Sequence, residues 1–309
     1  MVKYIVVVLM IGILLAGCDD FTSKPRFEGD VYTLAGHLVA GRAISLEHPI
    51  YITRSSTIED FNLFGIYDLE AVVKVIDLTS QDTLSLVPRF DEFKIKWIDE
   101  DNTIIQSGHR YRIEVRITGY DPLIWAETLV PQSVSLVPDY YQYNVDGEGY
   151  SMDPDEDISV SYATVDERYP LALNTGNVSG AFNLMAEMYC LEEFSTALEF
   201  TVSVFGIQNP TADMESSYYA SGESIRRIKF MGPYTSQSQP GQPDNFILVK
   251  DYKQAYVFFG RYRVSLYVID DNYYRYSFMP EGYLQGGVHA ALGYFGSASG
   301  GTMYTKLIR

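Results

Sequence analysis

The chain has 309 residues, 47% of them hydrophobic, with 23 basic against 40 acidic side chains and a formal charge of −17. This length accommodates about two domains, and the apolar fraction excludes a disordered chain. The negative balance argues against nucleic acid and anionic lipid surfaces as partners, and two cysteines exclude both a disulfide framework and a four-thiolate zinc site.

Lys3 precedes an uncharged run from Tyr4 to Gly17 whose apolar centre, Ile5 to Leu15, is 11 residues long. Spanning a bilayer takes about 20 residues, so the run reads as the h-region of a signal peptide. It ends in Leu15-Ala16-Gly17-Cys18, which is similar to the bacterial lipobox, where the cysteine thiol is acylated and the preceding residues are removed. Residues 1–17 are therefore expected to be cleaved, Cys18 to carry acyl chains such as palmitate, and residues 18–30 to form a lipidated, flexible tether. At roughly 0.8 kcal/mol per buried methylene, two or three chains hold a protein on a lipid membrane almost permanently. Cys190 then lacks a partner, and its apolar setting predicts a buried, inert thiol.

After the tether, period-two alternation dominates, and 26 Tyr with 16 Phe favour sheet. "VYTLAGHLV", "PIYITRSS" and "LEAVVKVIDL" read as strands, and "TSQD" as a hairpin connection before "TLSLV". In "FKIKW", Phe93, Ile95 and Trp97 oppose Lys94 and Lys96. In "RYRIEVRIT", Tyr111, Ile113, Val115 and Ile117 oppose a charged face. "DPLIWAETLVP" adds a strand that closes at Pro131. Six or seven strands at this spacing predict an immunoglobulin-like β-sandwich over residues 31–131.

A second β-rich domain is expected over residues 132–309. It opens with "PDYYQYNVDGEGYSMDPDED", an acidic, turn-prone stretch that reads as linker or edge decoration. Strands resume in "ISVSYATV", "SGAFNLMAEMY", "ALEFTVSVFG", "SIRRIKFMG", "QAYVFFG" and "RYRVSLYVID". Residues 232–245, rich in Pro, Gly, Gln and Ser, read as a mobile loop. Short helices are expected around Glu192–Thr196 and Asn272–Tyr276, and a Gly-rich stretch containing Gly286, Gly287, Gly293, Gly296, Gly300 and Gly301 closes the chain. The expected fold is thus all-β, after a cleaved lipoprotein signal peptide.

Several segments together resemble the DUF4249 family of Bacteroidota-type lipoproteins, a domain of unknown function. They are the lipobox with "YTLAGHLV" and "PIYITRSS", the strand "LEAVVKVIDL", "IQSGHRYRIEVRITGYDPLIWAETLVP", "YRVSLYVIDDNYYRYS" and "GGVHAALGYFGSASGG". The resemblance implies a lipoprotein of two β-domains at the outer membrane of the cell envelope, often beside a TonB-dependent receptor, and no catalytic residue. The stretch between Val137 and Asp157 departs from it.

Asp153, Asp155, Glu156 and Asp157 have the alternating carboxylates of a calcium loop, but Ile158 and Thr164 stand where an EF-hand needs Gly and Glu. A solvated acidic loop is the expectation, with Asp153, Asp155 and Asp157 as the calcium alternative. His37, His48, His109 and His289 are scattered without metal-ligand spacing and read as surface or strand-edge histidines. Neither a Gly-x-Ser-x-Gly elbow nor a phosphate-binding loop is present. Tyrosines cluster at Tyr140, Tyr141 and Tyr143, at Tyr218 and Tyr219, and at Tyr273, Tyr274 and Tyr276. Their flat apolar faces and polar tips suit sugar rings and protein interfaces alike.

The sequence thus predicts a membrane-anchored, non-catalytic binding or accessory lipoprotein without cofactor. The first and third tyrosine clusters are the candidate contacts for a ligand or for a receptor partner. One alternative is a carbohydrate or polymer capture protein using those clusters. Another is a hydrolase built on two carboxylates about 5 to 9 Å apart.

Overall fold

The computed structural model describes residues 31–56, 65–140, 147–176, 182–195, 198–201, 225–238 and 245–309. The expectations for Cys18, Tyr141, Tyr143, Tyr218 and Tyr219, and for most of "ALEFTVSVFG", lie outside the described residues.

Alternation becomes strand wherever one face finds a core. The first strands are β1 (Tyr32–Val39), β2 (Tyr51–Arg54), β3 (Val72–Asp77), β4 (Thr83–Asp91), β5 (Lys94–Ile98), β6 (Arg110–Ile117) and β7 (Tyr120–Leu129). There follow β8 (Ser135–Leu136), β9 (Ser159–Ser161), a one-turn helix α1 (Val165–Arg168), β10 (Leu171–Gly176), β11 (Asn183–Cys190) and β12 (Arg227–Met231). The chain ends with β13 (Tyr234–Ser238), β14 (Asn245–Val249), β15 (Gly260–Ile269), helix α2 (Asp271–Phe278) and β16 (Leu292–Ile308). The fold is all-β and sandwich-like. No helix among the described residues is long and apolar enough to cross a membrane.

Three sheets form among these strands: β5-β4-β3-β6-β7, β13-β14-β10-β8, and a seven-stranded sheet ordered β12-β11-β15-β16-β1-β2 with β9 also on β16. The long β16 is the spine of the third. One edge pairs parallel with β1 and, near its end, parallel with β9, while the other edge pairs antiparallel with β15. Two glycines permit this close approach. Gly293 (φ +105°) and Gly300 (φ +151°) occupy positions where a Cβ would strike the carbonyl oxygens of Leu34 and Leu266.

The seven-stranded sheet crosses the expected boundary at residue 131, since β1 and β2 pair into the sheet of the chain's last strand. Periodicity shows that a strand has a buried face, but not which distant strand supplies its hydrogen bonds.

Both smaller sheets cover the same face of this large sheet. Phe295 of β16 packs with Leu34, Leu38, Ile50 and Ile52 against Val73, Val75, Trp97, Ile113 and Val115. Met303 and Leu307, farther along the same face, pack with Leu184, Met188, Val264 and Leu266 against Leu171, Leu173, Ile247 and Val249. Between the two cores runs a buried polar seam. Thr128 Oγ1 donates to Asp270 Oδ2 at 2.7 Å and lies 2.7 Å from Ser297 Oγ. Asp270 also caps α2, accepting from the amides of Tyr273 at 3.0 Å and Ser297 at 2.9 Å.

Several local expectations are corrected. Residues 234–238 and 245 of the expected mobile loop are strands, with Tyr234 opposite Val249 in an edge pair where Thr235, Ser236 and Gln237 are exposed. "QAYVFFG" begins as a 3-10 turn (Lys253–Ala255), and Tyr256, Val257 and Phe258 then cross the core buried on every side. A continuous apolar run cannot distinguish such a crossing from a strand. Residues 192–195 form no helix, and the Glu192 side chain accepts the amide of Arg261 at 2.8 Å. "ISVSYATV" shortens to β9 before α1.

The expected linker also contributes to the core. Tyr150 is buried, with its hydroxyl 2.8 Å from that of Tyr252 and 2.9 Å from that of Tyr256. The helix expected at Asn272–Tyr276 lies within α2, and Cys190 is buried and free, its thiol pushed up by burial.

Candidate functional site

The other face of the seven-stranded sheet carries a different chemistry. Strand alternation places His37 (β1), Glu187 and Tyr189 (β11), Arg227 and Lys229 (β12), Arg263, Ser265 and Tyr267 (β15) and Tyr294, Thr302 and Tyr304 (β16) together there. Helix α2 closes one end. The loop after β1 brings Arg42, Glu47 and His48 over the side, enclosing a recess of about 470 Å³. That volume suits a small molecule.

One wall is formed by the rings of His37 and Tyr273, on which Tyr294 and Tyr276 stack without lining the recess. Tyr273 lies 4.8 Å from His37 and 5.1 Å from Tyr294, and Tyr276 lies 4.1 Å from Tyr294, all within 26° of parallel. His48 meets His37 edge-on at 6.1 Å. Burial first, then the positive charge of neighbours, holds the His37 imidazole down at a pKa of about 3, so the ring is neutral at physiological pH. Burial likewise lowers His48, against the opposing pull of Glu47. Burial raises the phenols of Tyr273 and Tyr294.

The floor is polar. Ser265 Oγ and Thr302 Oγ1 are 3.1 Å apart, and the Tyr267 hydroxyl lies 3.3 Å from Thr302 Oγ1. Glu187 stands among three cations, 3.9 Å from Arg227, 3.6 Å from Lys229 and 3.6 Å from Arg263. The guanidiniums of Arg227 and Arg263 also lie 4.7 and 5.0 Å from the centre of the Tyr189 ring.

Of the tyrosines singled out from sequence, Tyr273 lines this recess, whereas Tyr274 and Tyr276 belong to the same helix without lining it. Tyr140 lies elsewhere, donating to Gln237 at 2.9 Å beside the Phe246 ring. The histidines are not all surface or strand-edge residues. His37 is partly buried at the recess and His109 Nδ1 lies 2.7 Å from buried Asp77, whereas His289 is exposed as expected and stacks on Trp125 at 3.9 Å. Burial pushes the Asp77 carboxyl up, but the His109 contact and the amides of Ser80 and Thr79 bring it below its ordinary value overall.

The acidic run stays exposed. Asp153 accepts the amide of Asp155 at 3.0 Å, and Glu156 is engaged by Ser151. No group of three or more His, Cys, Asp or Glu side chains among the described residues is placed to hold a metal ion.

Sequence reasoning missed Arg42, Glu187, Arg227, Lys229 and Arg263, and Tyr294, which stacks on the Tyr273 ring from outside the recess. The alternation of "RRIKF" and "RYRVSLYV" marked charged faces on two strands, but only the register through β11 sets them around one glutamate.

The family described as a domain of unknown function (DUF4249) matches residues 38–278. No curated protein matches the chain.

Proposed function

The chain belongs to the DUF4249 family, and on that premise we propose that it is a lipid-anchored, non-catalytic binding protein whose ligand site is the recess on the outer face of the seven-stranded sheet. The observation that supports this is the construction of the recess. A neutral imidazole, a ring stack, paired hydroxyls and a ring of charges converge on one 470 Å³ space from strands at both ends of the chain. Convergent polar groups of this kind fix the orientation of a bound small molecule.

A binding role fits better than hydrolysis, because the neighbours of Glu187 are cations and not a second carboxylate. Sugar capture on a flat tyrosine platform is the weaker reading. Tyr273 is 3% exposed, and its ring stacks on its own neighbours.

Acylation of Cys18 at the outer membrane completes the proposal. The 12 residues from Asp19 to Asp30 reach at most about 40 Å when extended, so the body would work close to the lipid. A TonB-dependent receptor beside it is then the natural recipient of the ligand.

Native mass spectrometry of the acylated protein, extracted gently from its own membranes, tests the reading. Small-molecule adducts are expected on the wild type and not on Thr302→Trp, which fills the recess. Equal adducts on both proteins, or none on either, would contradict it.

A further inference from the structure

We propose that the recess takes a small organic acid, its carboxylate or phosphate held by Arg227, Lys229 and Arg263; the inference rests on the recess being the ligand site. The protein as a whole is strongly acidic, with 40 acidic against 23 basic side chains. The recess reverses that balance, with Arg42, Arg227, Lys229 and Arg263 facing only Glu47 and Glu187 among its described lining residues. A local excess of positive charge attracts an anion at short range, against the negative field of the rest of the protein.

Glu187 does not saturate its neighbours. Its ion pairs with Arg227, Lys229 and Arg263 are 3.6 to 3.9 Å long, whereas charge-assisted hydrogen bonds close to about 2.8 Å. The three cations are therefore gathered by one carboxylate without being consumed by it. Their register explains the gathering. Lys229 stands directly opposite Glu187 across β11–β12, while Arg227 and Arg263 stand opposite Tyr189 from its two sides. The ring of Tyr189 orients both guanidiniums, and a planar fork is the donor best matched to a carboxylate or phosphate.

The rest of the recess fits the remainder of such a ligand. The hydroxyls of Ser265, Tyr267 and Thr302 offer neutral hydrogen bonds. The enclosed volume and the acidic body around it favour a small acid over a long polyanion.

Isothermal titration of the acylated full chain in neutral detergent tests the inference, with galacturonate and glucose 6-phosphate set against their uncharged counterparts galactose and glucose. At least one acid is expected to bind and neither neutral sugar. Affinity should fall about tenfold or more from 0.05 to 0.5 M NaCl. Arg263→Gln should weaken the acid about tenfold or more. Glu187→Gln, which removes the competing carboxylate, should tighten it severalfold, a gain that misfolding cannot imitate. Neutral sugars binding as well as the acids, or weaker binding by Glu187→Gln, would overturn the anion inference and leave the recess as a binding site. Absence of heat with both acids would also overturn it, and the adduct comparison with Thr302→Trp then decides separately whether the recess binds anything.

Discussion

The ring of Tyr273, in the first turn of α2, lies 4.8 Å from that of His37 in β1 and within 26° of parallel to it. The contact joins a strand from the start of the chain to a helix near its end and forms the aromatic wall of the recess. Burial at this contact and around it keeps the imidazole neutral. This arrangement has a measurable signature in pH.

The folded-state pKa of His37, about 3, lies below the 6.5 of an unfolded histidine. The unfolded chain therefore takes up a proton first as pH falls. The stability that the neutral ring contributes is complete above pH 6.5 and is lost progressively between there and about pH 3. At pH 5 the loss amounts to about 1–2 kcal/mol. Thermal melts of wild type and His37→Asn between pH 5 and 7.5 should show a steeper decline for the wild type. Parallel curves would mean that the ring is not held neutral.

Asp166 has the opposite sign. Burial, the larger influence, raises its carboxyl to about 6, although the Lys253 amide and charge pull it down, and its Oδ1 is buried without a hydrogen-bond partner. Here the folded state binds the proton more tightly, so the protein gains stability as pH falls through about 6 toward 4. Asp166→Asn should stabilise the protein at pH 7.5 by about 1 kcal/mol, a figure discounted for solvent around a half-buried group. The gain should vanish near pH 4.

Asp270 serves the cap of α2 and the seam between the cores at once. Asp270→Ala removes a helix cap, strands the Ser297 amide and leaves the Thr128 hydroxyl with Ser297 Oγ alone. It should cost about 2–4 kcal/mol in urea unfolding. A cost below 1 kcal/mol would show that the seam does not depend on this carboxylate.

The β4–β5 hairpin turns through Glu92 and Phe93, both in the left-handed region at φ +47° and +61°, with Phe93 72% exposed. Such a turn favours Asn-Gly. Replacing Glu92 with Asn and Phe93 with Gly together should raise stability by about 1–2 kcal/mol, since neither new residue resists that conformation. An unchanged or lower melting temperature would contradict this.

Much of the fold was legible because strands such as β6 and β15 are amphipathic, and alternation marks which side chains go inward. The pairing of β1 with β16 was not legible, since a parallel partner far along the chain leaves no local trace. The site followed the same division. Tyr273 stood out in a tyrosine cluster, whereas Tyr294 was hidden in a glycine-rich run. Glu187, Lys229 and Arg263 looked like ordinary wet-face charges until register set them side by side. His37 lay on what alternation suggested was an exposed face, and only α2 and the loop carrying His48 cover it.

The central claim is that the outer face of the seven-stranded sheet is where the protein binds. Hydrogen–deuterium exchange of the acylated protein, with and without the small-molecule extract of its own cell envelope, tests this most directly. Added protection is predicted in peptides covering residues 40–50, 183–190, 227–231 and 260–269. Protection confined to the β4–β5 hairpin or the acidic loop at 153–157, or none at all, would contradict the account.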